Sequence, residues 1–181
     1  SRTAMELRGV PCINLETAQN KRKSCVVSRS FGKRIERFQE LKEAVANYCL
    51  NASEKIRSES LVAKAITIFV RTSPFQRNYG YYSNAETVDF PIATNNSIEI
   101  VKTAVNILEK IFKNGYQYQK AGVMLTGLCD DDGRKNLFSS EKDEKINNLM
   151  RSIDNTNYRY GRSTLSLASA GVQKKWNMKR E

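Results

Sequence analysis

The succession of apolar patterns predicts an α+β fold: a split β-α-β-β-α-β unit with a four-stranded sheet and two helices on one face. Three observations predict it. Two long segments repeat apolar residues at spacings of three and four, as a helix with one buried stripe requires. Four shorter segments are rich in β-branched residues and are bounded by Gly, Pro or Asn. These patterns follow one another as strand, helix, strand, strand, helix, strand between residues 24 and 129.

Residues 1–22 read as a connector, because Met5, Leu7, Val10, Ile13 and Leu15 keep no period and Gly9 and Pro11 interrupt them. Residues 24–31 form a short strand stopped by Gly32. The first helix places Phe38, Leu41, Val45, Tyr48, Ala52 and Ile56 on one stripe, with Glu40, Lys42, Glu43, Asn47, Asn51 and Lys55 elsewhere. Residues 65–72 are the strongest strand signal. Ile66, Ile68 and Val70 share one face, Thr67, Phe69 and Arg71 the other, and Ser73-Pro74 ends the run. A polar loop bearing Tyr79, Tyr81 and Tyr82 covers residues 75–86. Thr87, Val88, Asp89 and Phe90 open a third strand that Pro91 confines to an edge or a strand end.

The second helix starts at Asn96, paired with Glu99 as in a capping box. Ile98, Val101, Val105, Leu108 and Phe112 supply its stripe, and Asn114-Gly115 its stop. Residues 118–126 make the fourth strand, with Ala121, Val123 and Leu125 toward the helices and Lys120, Gly122 and Met124 away. This order is the ferredoxin-like one, and it leaves one sheet face open. That face carries Arg71 and Lys120. Residues 130–181 form a separate region, with an acidic turn at Asp130-Asp131-Asp132-Gly133. A short amphipathic helix through Ile146, Leu149, Met150 and Ile153 follows, then polar chain with a late Trp176. This tail is expected to be partly disordered or to depend on a partner.

With 181 residues the chain suits one domain plus a tail. It holds 30 Lys and Arg against 19 Asp and Glu, a net charge of +11, and no His. Lack of His excludes Ser-His and Cys-His nucleophiles and His-ligated metal sites within these residues. Cys12, Cys25, Cys49 and Cys129 are too far apart for a CxxC motif and read as reduced thiols. No stretch has the length and apolarity of a membrane span. The charge is concentrated. Lys21, Arg22, Lys23, Arg29, Lys33, Arg34 and Arg37 face only Glu36 within residues 21–37, a local excess of +6. A clustered basic stripe is the footprint of a polyanion binder; the alternative is a solvated basic linker.

Several stretches are recognisable in this order: Arg2-Thr3-Ala4-Met5-Glu6-Leu7-Arg8-Gly9, Cys25-Val26-Val27-Ser28-Arg29-Ser30-Phe31-Gly32, Val70-Arg71-Thr72-Ser73-Pro74-Phe75, Tyr116-Gln117-Tyr118-Gln119-Lys120-Ala121-Gly122-Val123-Met124-Leu125 and Trp176-Asn177-Met178-Lys179-Arg180-Glu181. Together they resemble the C-terminal part of a Y-family, translesion DNA polymerase. The resemblance implies that residues 1–22 are the thumb end and linker. Residues 23–129 are then the little finger, which grips primer–template duplex, and residues 130–181 a tail. It also implies that the palm carboxylates that bind magnesium lie upstream, so that no cofactor belongs to these residues and they do not themselves polymerise DNA, although the parent protein does.

The same resemblance marks Ser28, Arg29, Ser30, Gly32 and Lys33 as backbone-contacting residues; Arg34 extends that basic stripe, and Arg71, Thr72 and Ser73 at the end of the second strand and Lys120 on the fourth join them from the open face. The chemistry fits: Arg offers a charged fork, Ser a short hydroxyl, and Gly an approachable N–H. Arg134-Lys135-Asn136-Leu137-Phe138 stand where such polymerases carry a clamp-binding pentapeptide, with Arg134 in place of the usual Gln. The expected partners are double-stranded primer–template DNA, a sliding clamp, an accessory-protein dimer held by the tail, and a recombinase filament, in the cytoplasm of a bacterium and without membrane attachment. Two other readings stay open. One is a protein-interaction module that recruits clamp and accessory subunits. The other is a single-stranded RNA binder, although the RNA-recognition box is absent and Phe69 is the one aromatic on the open face of its strand.

Overall fold

Alternation along four long strands generates the sheet: β1 (Ser24–Ile35), β2 (Leu61–Thr72), β3 (Ser83–Thr94) and β4 (Tyr118–Thr126). The computed structural model describes residues 1–12, 22–75, 80–131, 141–172 and 176–178, with only the backbone for 141–143. The strand order is β1-β4-β2-β3, and neighbours run antiparallel. Both β-α-β units are therefore split, with β4 between β1 and β2, and β2 between β3 and β4. A two-residue strand β5 (Cys129–Asp130) pairs with Leu61 and Val62 at the start of β2. Helices α2 (Phe38–Ser58) and α3 (Ser97–Ile111) cover one face. A five-residue helix α1 (Arg2–Glu6) lies in the predicted connector.

The core forms between that face and the helices. Ile66, Ile68 and Val70 of β2 and Ala121, Val123 and Leu125 of β4 are fully buried, and Cys25 and Val27 of β1 nearly so. The predicted stripe of α2 is buried at Leu41, Val45, Tyr48, Ala52 and Ile56. In α3 the stripe is rotated from the expected one: Ile100, Val101, Ala104, Ile107, Leu108 and Ile111 are buried, while Ile98 is 40% exposed. The segment is apolar enough for two adjacent stripes to be drawn, and packing against the sheet selects one. The Asn96 cap forms, accepting from the Ile98 N–H at 3.0 Å. Its own N–H donates to Thr94 Oγ1 at 3.2 Å, in place of the expected Glu99.

Strand limits also shift. β1 continues past Gly32 to Ile35, but its register against β4 slips between Ser30 and Ile35. Residues 31–34 thus arch out of the ladder. β3 is an edge strand, as Pro91 suggested, and Pro91 lies where its pairing with β2 is irregular.

Over its described residues the tail carries more regular structure than the sequence pattern foresees. Helix α4 (Glu141–Tyr160) is far longer than the short helix foreseen. Arg57 of α2 holds it through two bonds to Asp154, at 2.7 and 2.8 Å. The same guanidinium donates to the Asn95 carbonyl and to Ser97 Oγ, tying α2, the start of α3 and α4 together. Met150 of α4 is buried. Beyond a 3₁₀ turn at Ala168–Ala170, Trp176 enters the main core. No helix among the described residues is long and apolar enough to cross a membrane.

Gly122 sets the texture of the other sheet face. A Cβ there would collide with the Phe69 ring and come within 2.5 Å of Ser28 Cβ. Gly122→Ala is expected to destabilise the protein by about 1–3 kcal/mol through overpacking. Adding Phe69→Ala should recover part of that loss. A denaturant double-mutant cycle measures it, and additive effects would contradict the packing.

Candidate nucleic-acid interface

The uncovered face reads as a grid, because residues opposite one another across antiparallel strands point to the same side. One end row is Ser30 of β1, Lys120 of β4, Arg71 of β2 and Ser83 of β3. The next is Ser28, Gly122, Phe69 and Ala85, with Phe69 lying across Gly122. A third holds Val26, Met124, Thr67 and Thr87, where the two threonine hydroxyls bond at 2.8 Å. The last ends at the acidic Asp89. The face is therefore polarised, cationic at the Arg71 end and acidic at the far corner.

Arg71 and Lys120 sit directly opposite, on strands about 4.8 Å apart. Neither has an acidic partner among the described residues. A like-charge pair in this position is unfavourable by itself, and an anion between the two side chains reverses its sign. Lys33 and Arg34, both exposed, extend the cationic end from the β1 arch. Arg34 donates to Gln117 Oε1 at 3.4 Å, and Gln117 in turn to Glu36 at 2.6 Å.

The structure brings together Ser30, Lys33, Arg34, Arg71 and Lys120 from the expected set, with Ser28 one row inward. It separates the others. Arg29 pairs with Ala121, so it points to the helix side, where its charge acts on Tyr48. Thr72 and Ser73, expected at an exposed strand end, are buried. Thr72 follows Arg71 and so faces the other way, and its backbone and hydroxyl bond to Tyr82. The Gly32 N–H, expected to be open to an anion, donates to the Trp176 carbonyl at 3.3 Å. The +6 segment is also divided. Its described N-terminal part holds an ion pair of Arg22 with Glu59, just before the start of β1, which lies about 20 Å along the strand from Ser30.

Among the loop tyrosines, Tyr82 packs 4.8 Å from Tyr116 and donates to the Ile111 carbonyl, while Tyr81 is exposed. Tyr79, Lys21 and the pentapeptide Arg134-Lys135-Asn136-Leu137-Phe138 lie outside the described residues. Ser83 was absent from the expected set. Nothing short of the β2–β3 register reveals it. The described residues gather no three His, Cys, Asp or Glu side chains as a cation site.

Behind the arch, burial pushes the Tyr48 phenol up to about 12, with the Arg29 charge pulling the other way. Its hydroxyl has no hydrogen-bond partner among the described residues. The fold thus favours the neutral phenol, a contribution complete below pH ~10 and lost as the pH rises toward 12. Tyr48→Phe should be at least as stable at neutral pH and lose less stability between pH 10 and 12. Denaturant melts across that range test this, and a steeper alkaline loss in the variant would contradict it.

Residues 22–137 match the family described as "impB/mucB/samB family C-terminal domain", and residues 147–181 match a domain of unknown function. The chain is 40% identical to Protein UmuC of Salmonella typhimurium over 99% of its own length and 43% of the relative's. It is 37% identical to Protein ImpB of the same organism with the same coverage. It spans less than half the length of these curated relatives. Among solved structures, the insertion ternary complex of Dbh DNA polymerase has 10% identity and a TM-score of 0.49, covering 59% of this chain and 29% of that one. A complex of the beta-clamp processivity factor with the little finger domain of PolIV has 13% identity and a TM-score of 0.42, covering 65% and 99%.

Proposed function

The chain belongs to the impB/mucB/samB family, whose C-terminal domain it carries at residues 22–137, and on that premise we propose that it grips primer–template duplex for an error-prone translesion polymerase. The observation that carries the reading is the Arg71–Lys120 cross-strand pair, a cationic row completed by Ser30 and Ser83. Its two cations are close enough to hold one phosphate, Arg as a fork and Lys as a point charge. The flanking hydroxyls suit further backbone oxygens. Phosphate contacts fix register without reading bases. Binding is thus independent of sequence and falls steeply with salt.

In this reading residues 1–22 are thumb end and linker, 23–129 the little finger and 130–181 the tail. The parent protein is a DNA-directed DNA polymerase of the SOS response, whose magnesium-binding palm lies outside this chain. Similarity to UmuC supports a bacterial, cytoplasmic and nucleoid-associated setting. The 134–138 peptide serves a sliding clamp by two apolar anchors, weakened by Arg134. A UmuD′-like accessory dimer and a recombinase filament are the remaining partners.

Fluorescence anisotropy with duplexes of unrelated sequence, across a salt series, tests the gripping role. Arg71→Ala and Lys120→Ala should each weaken binding about fivefold to tenfold near 0.1 M salt and lower the salt slope by about 1. Arg22→Ala, at the far end of β1, should change affinity less than about twofold, since its exposed ion pair contributes little. Preference for single-stranded RNA, or clamp binding with no duplex binding at low salt, would transfer the function to one of the other readings.

A further inference from the structure

The arch of residues 31–34 has left the β-ladder, so something else must hold its shape. Phe31 turns inward and is buried, whereas Lys33 and Arg34 turn outward. The C-terminal chain lies directly on Gly32 between them. Gly32 donates its N–H to the Trp176 carbonyl, and a Cβ on Gly32 would stand 2.9 Å from Met178 Cα and 3.2 Å from the Asn177 carbonyl oxygen. The Trp176 indole, only 6% exposed, meets Phe31 edge-on at 6.3 Å and Tyr48 at 5.8 Å. Its approach is pinned on α2, where Asn47 donates to the Ala170 carbonyl at 2.6 Å.

We propose that Trp176 is a positioning residue for backbone recognition: its indole and carbonyl brace the arch from the helix side and present Lys33 and Arg34 beside the Ser30–Lys120–Arg71 row. Trp176 itself lies away from that row, because Phe31 and Tyr48, which it packs against, belong to the core on the opposite side of the sheet. Gly32 has a role that differs from donating to a phosphate. Lacking a Cβ, it lets the two backbones touch. The inference rests on the duplex-gripping reading and extends it to a segment otherwise matched only to a domain of unknown function.

The test is a coupling measurement on the full chain with a primer–template duplex. In the unmodified protein, removing Lys33 and Arg34 together (both to Ala) should weaken binding about tenfold. In a Trp176→Ala background the same pair should change affinity less than about twofold, while Arg71→Ala keeps its full effect in both backgrounds. Amide exchange over residues 31–34 should rise in Trp176→Ala, and Trp176→Phe should restore most of the coupling. A general loss of stability would not single out Lys33 and Arg34 while sparing Arg71. If Trp176→Ala does not fold, Gly32→Ala, which pushes on the Met178 backbone, is read in the same way. An undiminished Lys33 and Arg34 contribution, with the Arg71 effect present, overturns the positioning role alone. Absence of duplex binding by the unmodified chain overturns it together with the functional reading.

Discussion

Insertion of β4 between β1 and β2 is the constraint on which the rest depends. Every row of the open face passes through β4, and its register with both neighbours decides which side chains meet. Before β4 is placed, β1 and β2 share no ladder. Once it is placed, Ser30, Lys120 and Arg71 fall in line although they come from three distant parts of the sequence. The buried side enforces that register. A shift of one residue would carry Ala121, Val123 and Leu125 into solvent and Lys120 into the core.

The open face inherits its character from the same alternation. No described element covers it, so it is not apolar, yet it is not uniformly polar either. The Phe69 ring occupies the space over Gly122, and the Thr67–Thr87 hydroxyl pair closes the middle. Cationic chemistry is thereby left to one end. Two positive charges in direct opposition lower the stability of the free protein slightly, and this is the kind of arrangement that a ligand site tolerates. Acidic Asp89 at the other corner gives the face a direction, so a bound polyanion would be drawn toward the Arg71 end.

The tail changes how the molecule is held together. Arg57 anchors α4 with charge-assisted bonds, and Trp176 closes the core behind β1. Two buried polar groups in that closure, Tyr48 OH and Trp176 Nε1, find no hydrogen-bond partner among the described residues. Such orphans cost free energy. The packing of three aromatic rings in edge-on contact offsets that cost. Stability and presentation of the basic arch are thus coupled through one indole.

The sequence by itself determined the order of elements, the stripe of α2, the two faces of β2 and β4, and the cationic residues Arg71 and Lys120. These follow from local periods of 2 and 3.6, which need no knowledge of neighbours. It could also have withheld Thr72 from the interface, because that residue alternates away from Arg71. Tertiary structure alone decided the rest: that Arg71 opposes Lys120, that Ser83 completes their row, and that Arg29 points to the helices. It also chose between two possible stripes on α3 and drew Trp176 into the core against Gly32. Each of these depends on pairing or packing between segments far apart in the chain, and the free energy that selects them exists only when those segments are brought together.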